Sequence, residues 1–335
     1  MKKFFATILI VCAISVLILN LNATTINIDK NSEGGLVSVI NQAIDGDTIH
    51  ISPGTYTGEN FTNLVIDKKI AIEGDNVILD GKEKNNIFSV KENGSLTLTN
   101  ITIANAHSNY GAGIHNEGYN LSIISCKFIN NSVAIIGGAI YNTISDNLKV
   151  IDSKFINNKA NGGAGAIYND GRDVIIKNCN FTDNQGNGAG AIYNYYSRNF
   201  TILKSNFINN KGLGSYSCGG AISNEASKDM LINQSTFINN TASFNGGAIY
   251  NYYGDRFKVF NSKFLSNSAY NSGSAIYSDL SYYGEIVNSI FSNNSIFPFS
   301  ERIDNIGVIF VRGTCHIGNL TIKDNNPNDI VYEEL

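Results

Sequence analysis

The sequence repeats with a period of about 27 residues, and this periodicity constrains the fold more than any other feature. One motif consists of a small residue, an isoleucine, and then Tyr and Asn in most copies. Its isoleucines are Ile114, Ile140, Ile167, Ile192, Ile222, Ile249 and Ile276. A second motif, Phe-x-x-Asn, recurs in step with the first. Its phenylalanines are Phe128, Phe155, Phe181, Phe207, Phe237, Phe264 and Phe291. Two motifs that share one period predict stacked, equivalent units.

The residues before each Phe alternate between apolar and polar, as in Leu148-Lys149-Val150 and Phe200-Thr201-Ile202. A period of two is typical of β-strands, and the Gly and Asn clusters between the strands are typical of turns. Each repeat is therefore predicted to form one coil of an all-β, right-handed parallel β-helix, with neighbouring coils about 4.8 Å apart. Phe and Ile should fill the interior, and Asn should form side-chain ladders along the turns.

The flanks extend the same design. Residues 34–44, GGLVSVINQAI, place Leu36 and Ile40 on one helical face and predict a short helix that caps the N-terminal end. The first coils are predicted to begin near residues 66–72 and 96–103, and the last coil to end at Asn325. We expect residues 24–335 to form one domain.

Residues 1–23 have the character of an export signal. Lys2 and Lys3 precede an apolar run from Phe4 to Leu21. This pattern predicts either a cleaved signal peptide or a retained N-terminal membrane anchor. The chain is therefore expected at the cell surface or in the cell envelope.

The five cysteines do not predict a disulfide framework. Cys126 and Cys179 occupy one column two coils apart, about 9.6 Å, whereas a disulfide needs Cα atoms within about 7 Å. They are interpreted as buried space-fillers. The pattern leaves the redox state of Cys218 and Cys315 open.

Several features that resemble functional sites have simpler interpretations. The net charge of −4 argues against nucleic acid as a partner. The run Gly186–Gly190 resembles a nucleotide-binding loop but is another copy of the repeat turn, so no cofactor is expected. The histidines lack metal-ligand spacing, and His115 is interpreted as a solvated surface residue. Residues 170–173, Asp-Gly-Arg-Asp, are interpreted as a turn. No column of the repeat is judged acidic, so the chain is predicted not to be an enzyme.

The tyrosines are the candidate binding surface. Alternation from the inward isoleucines points the following residue outward, and tyrosine pairs occur further along three of the coils. The candidate residues are Tyr141, Tyr168, Tyr193, Tyr195, Tyr196, Tyr250, Tyr252, Tyr253, Tyr277, Tyr282 and Tyr283. Such a stripe is suited to binding sugar rings or protein partners. The alternative is a stacked ladder that only stabilises the sheet.

The paired motifs also carry a family resemblance. Gly-Gly-Ala-Ile at residues 137–140, 219–222 and 246–249, with Phe-x-x-Asn, resembles the repeats of chlamydial polymorphic outer membrane proteins. The opening GDTIHISPGTY and the segment Ile78–Gly81 resemble the first coils of the pectate-lyase-like superfamily. Together they are similar to adhesin-like surface proteins of methanogenic archaea. The resemblance implies a right-handed β-helix, a location in the cell envelope, and adhesion.

The predicted function is therefore adhesion or envelope association, with cell-surface glycans or proteins as partners and possible anchoring in the membrane through the N-terminal segment. Two alternatives remain open at this point. One is a polysaccharide lyase or hydrolase built on the same scaffold, and the other is a structural spacer in the envelope.

Overall fold

The computed structural model describes residues 23–215, 219–297 and 306–333. The chain forms a parallel β-solenoid of about ten turns with about 26 residues per coil, so the predicted β-helix is confirmed. Every strand pairing in the described part is parallel, and the strands form a 30-stranded sheet and an 8-stranded sheet. Residues 1–22, which contain the predicted export signal, lie outside the described residues.

The strands fall into an N-terminal group and four lanes that run along the axis. The N-terminal strands are Thr25–Ile28, Thr48–Ile51, Gly54–Thr57, Leu64–Ile66, Lys69–Asp80, Phe88–Val90 and Ser95–Ala104. The lane that carries the Ile-Tyr-Asn motif comprises Ile114–Asn116, Ile140–Asn142, Ile167–Asn169, Ile192–Tyr195, Ile222–Glu225, Ile249–Tyr252, Ile276–Val287, Ile309–Gly318 and Ile330–Glu333.

The other three lanes complete each coil. The second lane comprises Ser122–Ile124, Lys149–Ile151, Val174–Lys177, Arg198–Leu203, Lys228–Asn233 and Lys258–Phe260. The phenylalanine lane comprises Lys127–Ile129, Lys154–Ile156, Asn180–Thr182, Asn206–Ile208, Thr236–Ile238, Lys263–Leu265, Ile290–Ser292 and Thr321–Lys323. The separate, shorter sheet comprises His107–Tyr110, Ser132–Ile136, Lys159–Ala160, Gln185–Gly186, Lys211–Gly212, Thr241–Ala242, Ser268–Ala269 and Ser295–Ile296.

The predicted phenylalanine ladder forms the centre of the core. The seven rings from Phe128 to Phe291 are fully buried. Neighbouring rings stack with centroids 4.7–4.8 Å apart and planes within 7° of parallel. The ring spacing equals the strand spacing, so the ladder and the sheet reinforce one register.

Two ladders of buried asparagines link successive coils, as the sequence predicts, one after the phenylalanine strands and one in the Ile-Tyr-Asn lane. In the first, each Nδ2 donates to the next Oδ1 over 2.8–3.0 Å from Asn131 to Asn325. Each amide in that ladder also donates to a backbone carbonyl, as Asn210 does to Phe181 O at 2.9 Å. The second ladder runs from Asn116 to Asn251 with Nδ2–Oδ1 distances of 2.6–2.8 Å. Buried amides without partners would cost free energy, so both ladders specify the stacking order.

The glycines that precede the Ile-Tyr-Asn strands allow a tight approach between coils. Gly137 has φ of 70°, and a Cβ there would lie 2.7 Å from Ile140 O. A side chain would therefore be strained by both the backbone conformation and the contact.

A short α-helix, Gly35–Gln42, covers the N-terminal end, and a single 3₁₀ turn spans Glu59–Phe61. Leu36 and Ile40 are buried, which confirms the predicted capping helix. Lys68 Nζ donates to Ile40 O and Ala43 O at 3.1 and 3.2 Å, satisfying carbonyls at the end of the helix.

The prediction that the coils end at Asn325 is wrong. Ile330–Glu333 forms a further strand that pairs in parallel with residues 309–312. Ile330 packs partly buried against the core cluster, which explains why the chain adds another strand there. The acidic sequence around it concealed this apolar contact.

Cys126 and Cys179 are free and buried, as predicted. Burial raises the pKa of both thiols to about 12, so they remain protonated and unreactive at neutral pH. Cys315 is free and half-buried, and burial likewise raises its pKa to about 12. Cys218 lies outside the described residues. Within residues 23–215, 219–297 and 306–333, no helix has the length and apolar character needed to span a bilayer.

We expect Phe207→Ala to lower the free energy of unfolding by about 3 to 5 kcal/mol, because it opens a cavity in the ladder. Phe291→Ala is the matched control, since its neighbours are Phe264 and the aliphatic Ile322 near the end of the stack. Denaturant titrations of both variants and the parent protein measure the difference. If Phe291→Ala lowered the free energy of unfolding as much as Phe207→Ala or more, the expectation that the middle of the solenoid is more sensitive to substitution than its end would be wrong.

Asn210→Leu tests the asparagine ladder. The substitution leaves neighbouring buried groups without partners, including the backbone Asn184 N, which donates to Asn210 Oδ1 at 3.1 Å. We expect a loss of about 1 to 3 kcal/mol in the free energy of unfolding. The control is Asn209→Gly, because Asn209 is a half-buried corner residue at φ of 56°, a conformation that glycine tolerates. Equal losses for the two variants would contradict the structural role of the ladder.

Candidate functional site

The tyrosines after the inward isoleucines form a column on the outer side of their lane. Tyr141, Tyr168 and Tyr193 follow one another with centroid distances of 5.2 and 5.5 Å. Tyr250 and Tyr277 continue the column at 5.4 Å, and Phe310 extends it at 4.5 Å from Tyr277. Ser223 takes the position between Tyr193 and Tyr250, and it interrupts the rings.

Outward orientation does not make this whole column accessible. Tyr168 and Tyr250 are only 7% and 6% exposed, so the expectation that they form a surface is wrong. In two coils a tyrosine two positions along covers the column, since Tyr195 stacks on Tyr193 at 5.8 Å and Tyr252 on Tyr250 at 6.0 Å. Burial raises the pKa of Tyr168, Tyr193, Tyr250 and Tyr277 above the ordinary tyrosine range. The alternative of a stabilising ladder therefore describes the inner rings well.

The accessible tyrosines lie at the corner that ends the lane. Tyr196 and Tyr253 are 66% and 51% exposed and pack edge-on against Tyr195 and Tyr252 at 4.4 and 4.5 Å. Ile144, at the same corner, is 84% exposed.

All three of these corner residues adopt left-handed φ values of 50–51°. Bulky side chains disfavour that conformation, and a β-branched residue there is a clear outlier. The corner after each Phe instead carries residues suited to it, such as Asn130, Asn157 and Asn209. Strain retained together with exposed apolar side chains marks a position of functional interest.

Tyr282 and Tyr283 do not join the other two tyrosine pairs. Tyr282 N donates to Asp255 Oδ1 at 3.1 Å, which places it two residues beyond the corner that Tyr196 and Tyr253 share. Tyr283 is 72% exposed but belongs to the next corner, where its N donates to Thr314 Oγ1. The structure therefore divides the predicted surface into two separate parts.

A column with alternating acids runs beside the tyrosines, so the expectation that no column is acidic is wrong. It occupies the third position after each isoleucine. Its members are Glu117, Thr143, Asp170, Tyr195, Glu225, Tyr252, Asp279, Arg312 and Glu333. The acids fall in every second coil, and so a comparison of adjacent copies misses them. The signal in the sequence is an acid at the third position after the isoleucine in every second copy of the repeat.

Most of these acids have structural partners. Lys91 Nζ lies 3.2 Å from Glu117, and Arg312 holds Asp279 through two contacts of 2.6 and 2.7 Å. Asp170 accepts hydrogen bonds from Ile144 N and Thr143 Oγ1 of the preceding coil. Residues 170–173 connect the strands Ile167–Asn169 and Val174–Lys177, in agreement with the predicted turn.

Within the described part of the chain, Glu225 lacks the cationic partners that Glu117 and Asp279 have. Its Oε2 accepts from Tyr193 OH at 3.0 Å, and its Oε1 accepts from Ser223 Oγ at 2.9 Å. Among the described residues, no Lys, Arg or His forms an ion pair with it. Burial raises the pKa of this carboxyl above its ordinary value, and the two hydrogen bonds oppose that shift.

A groove follows the outer side of the tyrosine corner. A concavity of about 450 Å³ is lined by Tyr119, Ile144, Asp146, Tyr168, Asp170, Arg172, Tyr195 and Tyr196. A neighbouring one of about 390 Å³ shares Tyr119 and Ile144 and adds Glu92, Glu117 and Thr143. Aromatic faces beside carboxylate and hydroxyl groups can stack on sugar rings and accept their hydroxyl protons.

His115 lies within the aromatic column rather than in solvent, which corrects its interpretation as a solvated residue. It packs between Tyr110 and Tyr141 at centroid distances of 6.2 and 5.1 Å. Burial lowers the pKa of the His115 imidazole, while the Glu117 carboxylate, 3.5 Å from its Nε2, opposes that shift. Within the described parts of the chain, no three His, Cys, Asp or Glu side chains are grouped so as to hold a metal ion.

Comparison with known proteins supports the predicted repeat. The Chlamydia polymorphic membrane protein repeat matches residues 125–143, 152–170 and 234–252. A comparison with curated proteins returned no match.

Solved structures with a similar backbone include the Agl-KA catalytic domain, which is 12% identical with a TM-score of 0.48 and covers 93% of this chain and 69% of that one. A mannuronic acid-specific polysaccharide family 6 lyase from human gut microbiota is 13% identical with a TM-score of 0.48, covering 89% and 82% respectively. An alginate lyase from Paenibacillus sp. is 13% identical with a TM-score of 0.34, covering 90% and 99%.

These structures contradict the prediction that the chain is not an enzyme, because the similar chains are a catalytic domain and polysaccharide lyases. The prediction is therefore withdrawn. At this identity and TM-score the likeness shows the fold and assigns no reaction to the present chain.

The two kinds of tyrosine should differ in their contribution to stability. We expect Tyr168→Ala to lower the free energy of unfolding by about 3 kcal/mol or more, because its ring is buried between two others. Tyr196→Ala should cost about 1 kcal/mol or less, the value of one edge-on aromatic contact. Thermal and denaturant unfolding of both variants measures the difference. Equal losses would show that the corner tyrosine is structural.

Proposed function

We propose that this chain is an exported surface protein that binds carbohydrate polymers through a tyrosine ridge. The ridge is defined as Ile144, Tyr195, Tyr196, Tyr252 and Tyr253. One observation carries the proposal: bulky, exposed side chains occupy left-handed corners, and two of them, Ile144 and Tyr196, line a groove together with tyrosines and acids.

The chemistry of the ridge suits sugars. Exposed phenol rings offer flat apolar faces to the C–H faces of a pyranose, and their hydroxyls add hydrogen-bonding capacity. Asp146, Asp170 and Arg172 at the groove supply acceptors and donors for sugar hydroxyls. Because equivalent side chains recur along the axis, one polymer chain lying along the ridge would meet several of them at once.

Surface display is supported by two further observations. The repeats match those of a membrane protein family, and the basic start with its apolar run predicts export. Adhesion to a neighbouring cell or to the organism's own envelope would follow from binding a polymer present there.

The ridge tyrosines should control binding. We expect Tyr196→Ala and Tyr253→Ala each to weaken affinity about tenfold or more for the polysaccharide that the parent protein binds. Truncation of an aromatic residue at the centre of a binding site reduces the binding free energy by about 2 kcal/mol. The matched control is Tyr283→Ala, which removes an equally exposed tyrosine from the next corner. Purified protein is tested against a panel of polysaccharides by sedimentation with insoluble polymers and by calorimetry with soluble ones.

The same incubations are assayed for reducing and unsaturated sugars, which separates binding from turnover. If Tyr283→Ala weakens binding as much as Tyr196→Ala, the ridge is not the binding surface. If the parent protein binds no polymer in the panel, the proposed function fails.

A further inference from the structure

One coil without tyrosine separates the two tyrosine pairs of the ridge. Residues 192–198 read IYNYYSR and residues 249–256 read IYNYYGDR, whereas the coil between them, 222–228, reads ISNEASK. Three tyrosine positions in the flanking coils are thus Ser223, Glu225 and Ala226 in the middle coil. The register places each of Ser223 and Glu225 directly between tyrosines of the two neighbouring coils.

These substitutions create a notch, defined as Ser223, Glu225 and Ala226 between the two flanking sets of tyrosines. One wall is Tyr193, Tyr195 and Tyr196, and the other is Tyr250, Tyr252 and Tyr253. The walls belong to coils two steps apart, about 9.6 Å at two strand spacings. A single ring in contact with both walls needs about 7 to 8 Å, since carbon atoms in contact lie 3.5–4.0 Å apart. One flat ring therefore fits between them.

The outer part of the notch is open and the inner part is charged. Ala226 ends at Cβ between Tyr196 and Tyr253, which are both exposed, and all three share the left-handed corner conformation. The Glu225 carboxylate lies further in, bonded to Tyr193 OH and Ser223 Oγ. The hydrogen bonds that its carboxylate accepts from described residues come from neutral hydroxyls, so no cation among those residues compensates its charge.

The notch favours a cation. Aromatic faces carry negative charge density, and a carboxylate among them adds a full charge, so an ammonium group is stabilised by both. In the same column, Glu117 and Asp279 already have Lys91 and Arg312 as partners, whereas Glu225 has no cationic partner among the described residues.

We propose that the notch binds an amino sugar residue, with the sugar ring between Tyr196 and Tyr253 and its ammonium group directed to Glu225. This inference rests on the proposed function and names the sugar class that the ridge selects. An N-acetylated sugar presents a neutral amide at the same position, so it forms no ion pair with the carboxylate. A lysine side chain offers the charge without the ring.

The test compares short oligomers of glucosamine and of N-acetylglucosamine by calorimetry, using the full chain. We expect the parent protein to prefer the glucosamine oligomer. Glu225→Gln should reduce that preference about tenfold or more, because it removes the charge and keeps the side-chain shape. Ala226→Tyr should weaken binding of the glucosamine oligomer, because a tyrosine there fills the notch and the left-handed corner already accepts tyrosine in both neighbouring coils.

Glu33→Gln is the matched control, since it removes the same charge from an exposed site near the N-terminal helix. It should bind like the parent protein, which excludes a general attraction of a cationic oligomer to an acidic chain. Circular dichroism verifies that each variant is folded, and a lysine-containing peptide is the additional probe.

Three results would overturn the inference while leaving the proposed function intact: equal affinity of the parent for the two oligomers, an unchanged preference in Glu225→Gln, or binding of the lysine peptide with no binding of glucosamine. If the parent protein binds no glycan of any kind, the proposed function fails and the inference fails with it.

Discussion

The structure depends on the buried asparagine amides that link each coil to the next. Each amide from Asn131 to Asn294 donates both to the following asparagine and to a backbone carbonyl, and its oxygen accepts in turn from the preceding coil. A slip of one residue between two coils would leave such groups buried without partners, at a free-energy cost far above that of losing a surface contact. The ladders thus hold equivalent residues in line, and the stacked Phe rings are a consequence of the same alignment.

Because the coils are aligned, a residue difference between two copies of the repeat changes the surface at one defined position. Equivalent residues of successive coils are neighbours, so the tyrosines of residues 192–198 and 249–256 lie on either side of the coil that carries Glu225. The left-handed corners then determine which side chains reach solvent. Tyr196 and Tyr253 are displayed there, whereas Tyr168 and Tyr250 remain beneath their neighbours. The strained corners are held in place by the ladders, which supply the stability that the corners themselves lack.

The sequence was sufficient to predict what repeats in every copy. The Phe, Ile and Asn columns, the buried Cys126 and Cys179, and the helix Gly35–Gln42 all follow from periodicity and residue type. Features that depend on packing beyond one strand could not be predicted in this way. Alternation gives the direction of Tyr168 but not the neighbouring side chains that bury it. Spacing in the chain does not reveal that Tyr282 lies two residues beyond the corner of Tyr253, and an acidic context concealed the strand Ile330–Glu333.

The central claim is that the left-handed tyrosine corner, and not the tyrosines in general, binds carbohydrate. The most direct measurement is a titration of the ring-labelled tyrosines with a bound oligosaccharide, followed by nuclear magnetic resonance with signals assigned by substitution. The account predicts that the ring signals of Tyr196 and Tyr253 shift in proportion to occupancy, while the ring signal of Tyr283 stays unchanged. Saturable binding that shifts Tyr283 and leaves Tyr196 and Tyr253 unperturbed would contradict it.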